Sequence, residues 1–221
     1  MKMQQINHHL TDPLLMGYSA GALPEAFNLV VATHISMCDT CRAALAEFDA
    51  VGGEVMLDVA PVAMSADALA ATLALIDDMP AVAPATHAET APANDNAFPS
   101  PLRDYLPEGY AGVKWRKIGG GVCQAVLPTS QDATVRLLKI PAGVAVPDHG
   151  HNGTELTLVL RGAFVDEHDR FGAGDIEVAN EDLEHTPVAE AGEDCICLAA
   201  TDAPLRFNSL MPRLAQRFIG I

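Results

Sequence analysis

The sequence predicts two domains of different class, an all-α N-terminal unit followed by an all-β unit built as an antiparallel sandwich or jelly-roll barrel. Three observations predict this. Apolar residues recur at helical spacing up to about residue 76. Short β-branched runs, broken by Gly and Pro, fill the second half. Between them the stretch DDMPAVAPATHAETAPANDNAFPS is rich in Pro, Ala and small polar residues, has no periodicity and reads as a linker, with His87 solvated inside it. The expected boundaries are 1–78 for the helical domain, 79–100 for the linker and 101–221 for the β domain.

The first helix is expected to be capped by Asp12, with Pro13 at its first position. Pro24 opens a second, in which Phe27, Val30, Val31 and His34 recur at helical spacing. A third runs from about Asp39 to Val51 with Ala44, Leu45 and Phe48 on its apolar side, and Gly52-Gly53 is expected to end or bend it. Ser65 caps a fourth, striped by Leu69, Leu73 and Ile76. That helix either completes a four-helix bundle or stands off and offers its stripe to a partner protein.

In the second half the strand candidates are Val135 to Ile140, Leu156 to Leu160, Ile176 to Val178 and Cys195 to Leu198. No internal repeat is present.

Bulk properties narrow the function. A net charge of −16 argues against direct contact with nucleic acid and suits a basic partner. No basic n-region with an apolar h-region opens the chain, and no apolar run reaches membrane-spanning length. The 5 cysteines show no disulfide-framework spacing, so a reducing cytoplasm is the expected home.

Two constellations carry chemistry. The first is THISMCDTCR, in which His34, Cys38 and Cys41 are spaced H-x3-C-x2-C. A thiolate pair and an imidazole suit tetrahedral zinc, and an upstream histidine, His9 with His8 beside it, supplies a fourth ligand. A closed tetrahedron leaves no position for substrate and is structural. The same pair also fits a redox disulfide or two inert buried thiols, although no strand precedes Cys38 as in the usual redox motif.

The second is GVAVPDHGHNGTELTLVLRG, with His149, His151 and Glu155, followed by His185 in GDIEVANEDLEHTP. His149 and His151 are two apart and share one face of a strand. Three imidazoles and a carboxylate converging inside a barrel would bind a divalent transition metal, zinc or another. Cys195 and Cys197 also share a strand face; they are expected to be buried hydrophobes, open to oxidation if that face looks into the barrel. Cys123 stands alone, and His168 falls in a hairpin turn and is expected to be exposed.

The β half resembles the cupin family. Gly143, His149, His151, Glu155 and Gly162 match its first motif throughout. Gly174 and His185 keep the register of the second, although Asn180 and Asp182 replace its Pro and second Gly, and Ala189 stands where its closing Asn falls. Cupins include dioxygenases, isomerases and non-enzymatic sensors, so the fold does not fix a reaction.

Taken whole, the chain resembles ChrR-type zinc-binding anti-sigma factors, whose N-terminal signature matches His9, His34, Cys38 and Cys41 and picks His9 over His8. The resemblance implies a regulatory protein rather than an enzyme. The helical domain would bind and inhibit an extracytoplasmic-function-type (group IV) sigma factor. The cupin would sense oxidative stress, singlet oxygen or organic hydroperoxides. The competing reading is a metal-dependent cupin dioxygenase with a helical interaction domain.

Overall fold

The computed structural model describes residues 5–79, 98–106 and 108–207. Residues 80–97, the bulk of the expected linker with His87, lie outside them.

Four helices make up the N-terminal unit: α1 (Asp12–Ser19), α2 (Glu25–Met37), α3 (Asp39–Leu57) and α4 (Ala68–Asp77). The N-cap of α1 is Thr11 rather than Asp12, which becomes its first residue. Helix α3 continues through Gly52-Gly53 instead of ending there; two glycines cost about 1 kcal/mol each in a helix, too little to break one nucleated at a strong N-terminus. The N-cap of α4 is Asp67, two residues beyond Ser65.

The β unit comprises β1 (Arg116–Gly119), β2 (Val122–Leu127), β3 (Thr134–Ile140), β4 (His149–His151), β5 (Glu155–Arg161), β6 (Ala163–Val165), β7 (Arg170–Gly172), β8 (Ile176–Ala179), β9 (Glu184–His185), β10 (Val188–Ala189), β11 (Cys195–Thr201) and β12 (Leu205–Phe207). A 6-stranded antiparallel sheet of order β1-β2-β3-β11-β5-β8 is joined by two 3-stranded sheets, β10-β6-β7 and β12-β4-β9. This is the expected all-β barrel.

Strand alternation gives the large sheet two buried faces. Val135, Leu137, Leu156, Leu158, Leu198 and Ala200 point outward, and Val122, Ile140, Val159, Cys195 and Cys197 point into the barrel. The outward face does not meet water. Helix α2 lies across β11, β5 and β3, and its Phe27, Val30 and Val31 join the outward residues in one continuous hydrophobic cluster. Each such buried side chain contributes about 1.5–3 kcal/mol. A short helix, α5 (Ser100–Arg103), packs on the same helix through the fully buried Leu102. Glu25, in the first turn of α2, accepts the Tyr105 hydroxyl at 2.8 Å and the Ser130 N–H at 2.7 Å. The two units therefore share a core.

The far end of the helical unit is different. On α3, Val51, Val55, Met56 and Leu57 are all exposed, and α4 buries none of its residues. Its stripe of Leu69, Leu73 and Ile76 stands in solvent, 51–70% exposed.

Candidate metal centres

The first cluster is assembled from an arm and a helix junction. His34 lies in the last turn of α2, and Cys41 sits in the first turn of α3. Cys38 lies between them in an extended conformation, so the chain turns and both sulfurs face the same way. The Cys41 N–H donates to Cys38 Sγ at 3.4 Å. His34 Nε2 is 3.2 Å from Cys41 Sγ. His9 Nδ1 is 3.3 Å from Cys38 Sγ and 3.6 Å from Cys41 Sγ. All four donor atoms lie within 4.8 Å of one another.

These distances fit a common ion. Zn–S of about 2.3 Å and Zn–N of about 2.0–2.1 Å give nitrogen–sulfur edges of roughly 3.5 Å in a tetrahedron. Burial pushes the His34 imidazole down to about 4, so its lone pair is available to a metal. Burial also lifts the Cys41 thiol to about 11, and a coordinated cation reverses that bias.

The arm that carries His9 is held by the barrel as well as by the helices. Asp175 Oδ1 accepts the N–H groups of Asn7 and His8 at 2.6 and 3.0 Å. His8 Nε2 lies 3.0 Å from Asp169 Oδ2, and its ring packs on Phe171 with centroids 4.3 Å apart. Ile6 crosses Gly174 so closely that a Cβ there would come within 2.6 Å of its side chain, and φ at Gly174 is +92°. Only glycine serves both needs.

The second cluster lies inside the barrel. His149 and His151 come from β4 and His185 from β9, paired in register with His149. All three are 2–3% exposed. The nitrogens of His149, His151 and His185 lie within 4.8 Å of one another, with His149 Nε2 3.3 Å from His185 Nε2. Glu155, the fourth expected ligand, stands just outside this group, its Oε2 3.6 Å from His151 Nδ1 and its Oε1 accepting the Thr157 hydroxyl at 2.9 Å.

The ring nitrogens indicate what the cluster can hold. His149 Nδ1 donates to the Pro147 carbonyl at 2.9 Å. His185 Nδ1 faces Glu177 Oε1 at 3.1 Å and Asp166 Oδ2 at 3.2 Å. His149 therefore turns its Nε2 lone pair to the centre, and His185 turns its Nε2 there, a lone pair once a metal displaces the proton. Among the described residues neither nitrogen of His151 has a hydrogen-bond partner, although both are buried. Buried nitrogens left so are expensive unless they ligate, and the donor set suits a divalent transition metal.

The electrostatics divide the same way. Burial pushes His151 down to about 4 and lowers His149 as well. Burial would also lower His185, but the Glu177 and Asp166 carboxylates outweigh it and lift that imidazole to about 9. Burial raises the Glu177 carboxyl. For Asp166 burial acts upward too, yet the N–H groups of Asp169 and His168 hold it below the usual range.

Sequence reasoning missed Asp166, Glu177 and Asp175. Glu177 had a signal, a lone charge in the inward phase of a strand otherwise made of Ile, Val and Ala. Cys195 and Cys197 are buried with sulfurs 3.5 Å apart, and the Cys195 thiol and burial drive the Cys197 thiol well upward, so both behave as hydrophobes. His168 is 59% exposed, as expected of a turn residue.

A cupin barrel whose outer face carries a helical unit, with one histidine–cysteine cluster and one histidine cluster, defines a two-centre helical cupin. The family described as the ChrR cupin-like domain matches residues 110–204. The anti-sigma-E factor ChrR of Cereibacter sphaeroides is 59% identical over 98% of this chain and 99% of its own length. A crystal structure of Rhodobacter sphaeroides SigE in complex with the anti-sigma ChrR superposes with a TM-score of 0.76 at 57% identity, covering 89% of this chain and 99% of that one. The chain belongs to the ChrR family of anti-sigma factors.

Proposed function

We propose that this chain is a regulatory protein that binds and inhibits an extracytoplasmic-function-type (group IV) sigma factor through its helical unit. The observation that carries this reading is the apolar surface left open on α3 and α4. Val51, Val55, Met56, Leu69, Leu73 and Ile76 are each more than half exposed in an otherwise acidic chain. Such a surface marks a protein interface, and the ChrR of the solved complex is bound to a sigma factor.

In this reading His9, His34, Cys38 and Cys41 hold a structural zinc that locks the arm, α2 and α3 into the binding shape. His149, His151, Glu155 and His185 hold zinc or another divalent transition metal in the barrel. Residues 1–78 are the inhibitory domain, 79–100 the linker and 101–221 the sensor of oxidative stress, acting in the cytoplasm. The signal travels along the N-terminal arm. A change around His185 acts on Asp166, whose Oδ1 accepts the Asp169 N–H at 2.8 Å; Asp169 holds His8, and His8 adjoins His9.

Co-purification tests the core of this reading. The full chain should form a stoichiometric complex with a group IV sigma factor, and the double variant Leu69→Glu, Leu73→Glu should abolish it while melting within a few degrees of wild type. Undiminished binding by that folded variant, or no complex with any group IV sigma factor of the same genome, overturns it.

A further inference from the structure

The four donors of the arm cluster are not equally fixed. His34, Cys38 and Cys41 lie at the junction of α2 and α3, where helix geometry places them. His9 stands on residues 5–11, which form neither helix nor strand, and it is exposed where the other three are buried. Neither secondary structure nor burial of its own ring therefore holds it. Its neighbours in the chain do. The N–H groups of Asn7 and His8 both donate to Asp175 Oδ1. The His8 carbonyl accepts the Ile176 N–H at 3.4 Å, and Leu10, just beyond His9, is buried in the core.

Asp175 belongs to the turn between β7 and β8 and is 1% exposed. Its Oδ2 accepts the Gly172 N–H at 2.8 Å, which closes the turn, while its Oδ1 faces the arm. A buried carboxylate is costly unless it is hydrogen-bonded, so the carboxylate needs the arm as much as the arm needs the carboxylate. Burial pushes the Asp175 carboxyl up, but the N–H groups of Gly172, His8 and Asn7 outweigh it and hold the group below the usual range. The same negative charge acts on His34, together with the Gly174 backbone. One barrel turn therefore stands behind both histidines of the cluster.

We infer that Asp175 is a positioning residue of the arm metal centre, a barrel side chain outside the donor set that sets His9 in place by holding the two peptides before it. The inference rests on the reading above in which His9, His34, Cys38 and Cys41 hold zinc. With the arm seated beforehand, its ordering does not count against metal binding; without the seat it does. Loss of such an outer support weakens metal binding about 10–100-fold. The coupling is reciprocal, so a bound ion tightens the arm on the barrel by the same factor. Metal at the helix junction and the grip of the barrel on the arm are then one equilibrium. A disturbance of the β7–β8 turn reaches the zinc with no movement of α2 on the sheet.

Cobalt titration of the metal-free, full-length protein tests this inference. Thiolate-to-cobalt charge transfer reports the arm cluster alone, since the inner histidine cluster contains no cysteine. Displacement of that band by zinc gives the zinc affinity. Asp175→Ala and Asn7→Pro should each weaken both ions about 10–100-fold. The double variant should fall within about twofold of the weaker-binding single variant, because both remove the same seat. His8→Ala, which keeps its backbone N–H, should stay within about twofold of wild type. Asn7→Pro alters the arm and leaves the turn intact, so wild-type affinity in this variant overturns the inference even where Asp175→Ala fails to fold. Single effects that multiply in the double variant overturn it as well, as does a His8→Ala loss equal to that of Asn7→Pro. A wild-type protein without the charge-transfer band overturns the metal centre and the inference with it. A wild-type band with undiminished affinity in the variants overturns the inference alone.

Discussion

His8 of the N-terminal arm and Asp169 of the barrel meet at 3.0 Å, Nε2 to Oδ2. Asp169 is tied in turn to Asp166, which faces His185 of the inner cluster at 3.2 Å. Two aspartates thus join one candidate centre to His8, the residue beside His9 of the other.

Removing that contact should separate inhibition from sensing. His8→Ala leaves the four donors of the arm cluster in place, so sigma-factor binding should persist. The lost contact is exposed, so stability should fall only slightly. Release by an organic hydroperoxide should become weaker or slower, measured as the fraction of sigma factor freed from an immobilised complex. Wild-type release by this variant would place the route elsewhere.

Cys41→Ser should act on inhibition itself. The variant loses a donor to the arm cluster and one of the two thiols at the start of α3. Its zinc content by mass spectrometry should fall, its helical circular dichroism should weaken and sigma-factor binding should be lost. Chelation of the wild type should reproduce the same changes, since structural zinc contributes about 10–16 kcal/mol of apparent binding energy in small domains.

Glu177→Gln tests the support of the inner cluster. The amide no longer offers His185 Nδ1 a charged acceptor. Metal affinity of the barrel site should fall by about 10–100-fold, read by competition with a chromogenic chelator. Sigma-factor binding should be unaffected.

Acid and alkali should destabilise the metal-free protein for different reasons. His34 and His151 are held near 4 when folded against 6.5 when unfolded. Between these values only the unfolded chain takes up the proton, so stability is present above about pH 6.5 and lost as pH falls towards 4, by up to about 3 kcal/mol for each. His185 runs the other way. Raised to about 9, it stabilises fully below about pH 6.5 and less as pH rises through 9. Urea unfolding across this range should place the maximum near pH 6.5.

Much of this was legible in the residues. His34, Cys38 and Cys41 advertise themselves because a turn of helix and one extended residue suffice to bring them together. His149 and His151 do so because strand alternation is strict. The packing of α2 on the sheet was not legible. Its apolar residues satisfy a helical bundle and a sheet surface equally well, and periodicity cannot name the partner of a face. The same holds for Asp175, whose role comes from an arm more than 160 positions away in the sequence. The exposed stripe of α4 was foreseen as one of two outcomes, and only the fold separates them.

The sharing of one hydrophobic layer by α2 and the outer face of the large sheet has a consequence for exchange of parts. A foreign jelly roll spliced beneath these helices would present polar outward residues to Phe27, Val30 and Val31, and the arm would find no aspartate to seat it. Inhibitor and receiver cannot be shuffled independently, so a hybrid regulator assembled from this chain must take α2, the arm and the barrel as one inherited cassette.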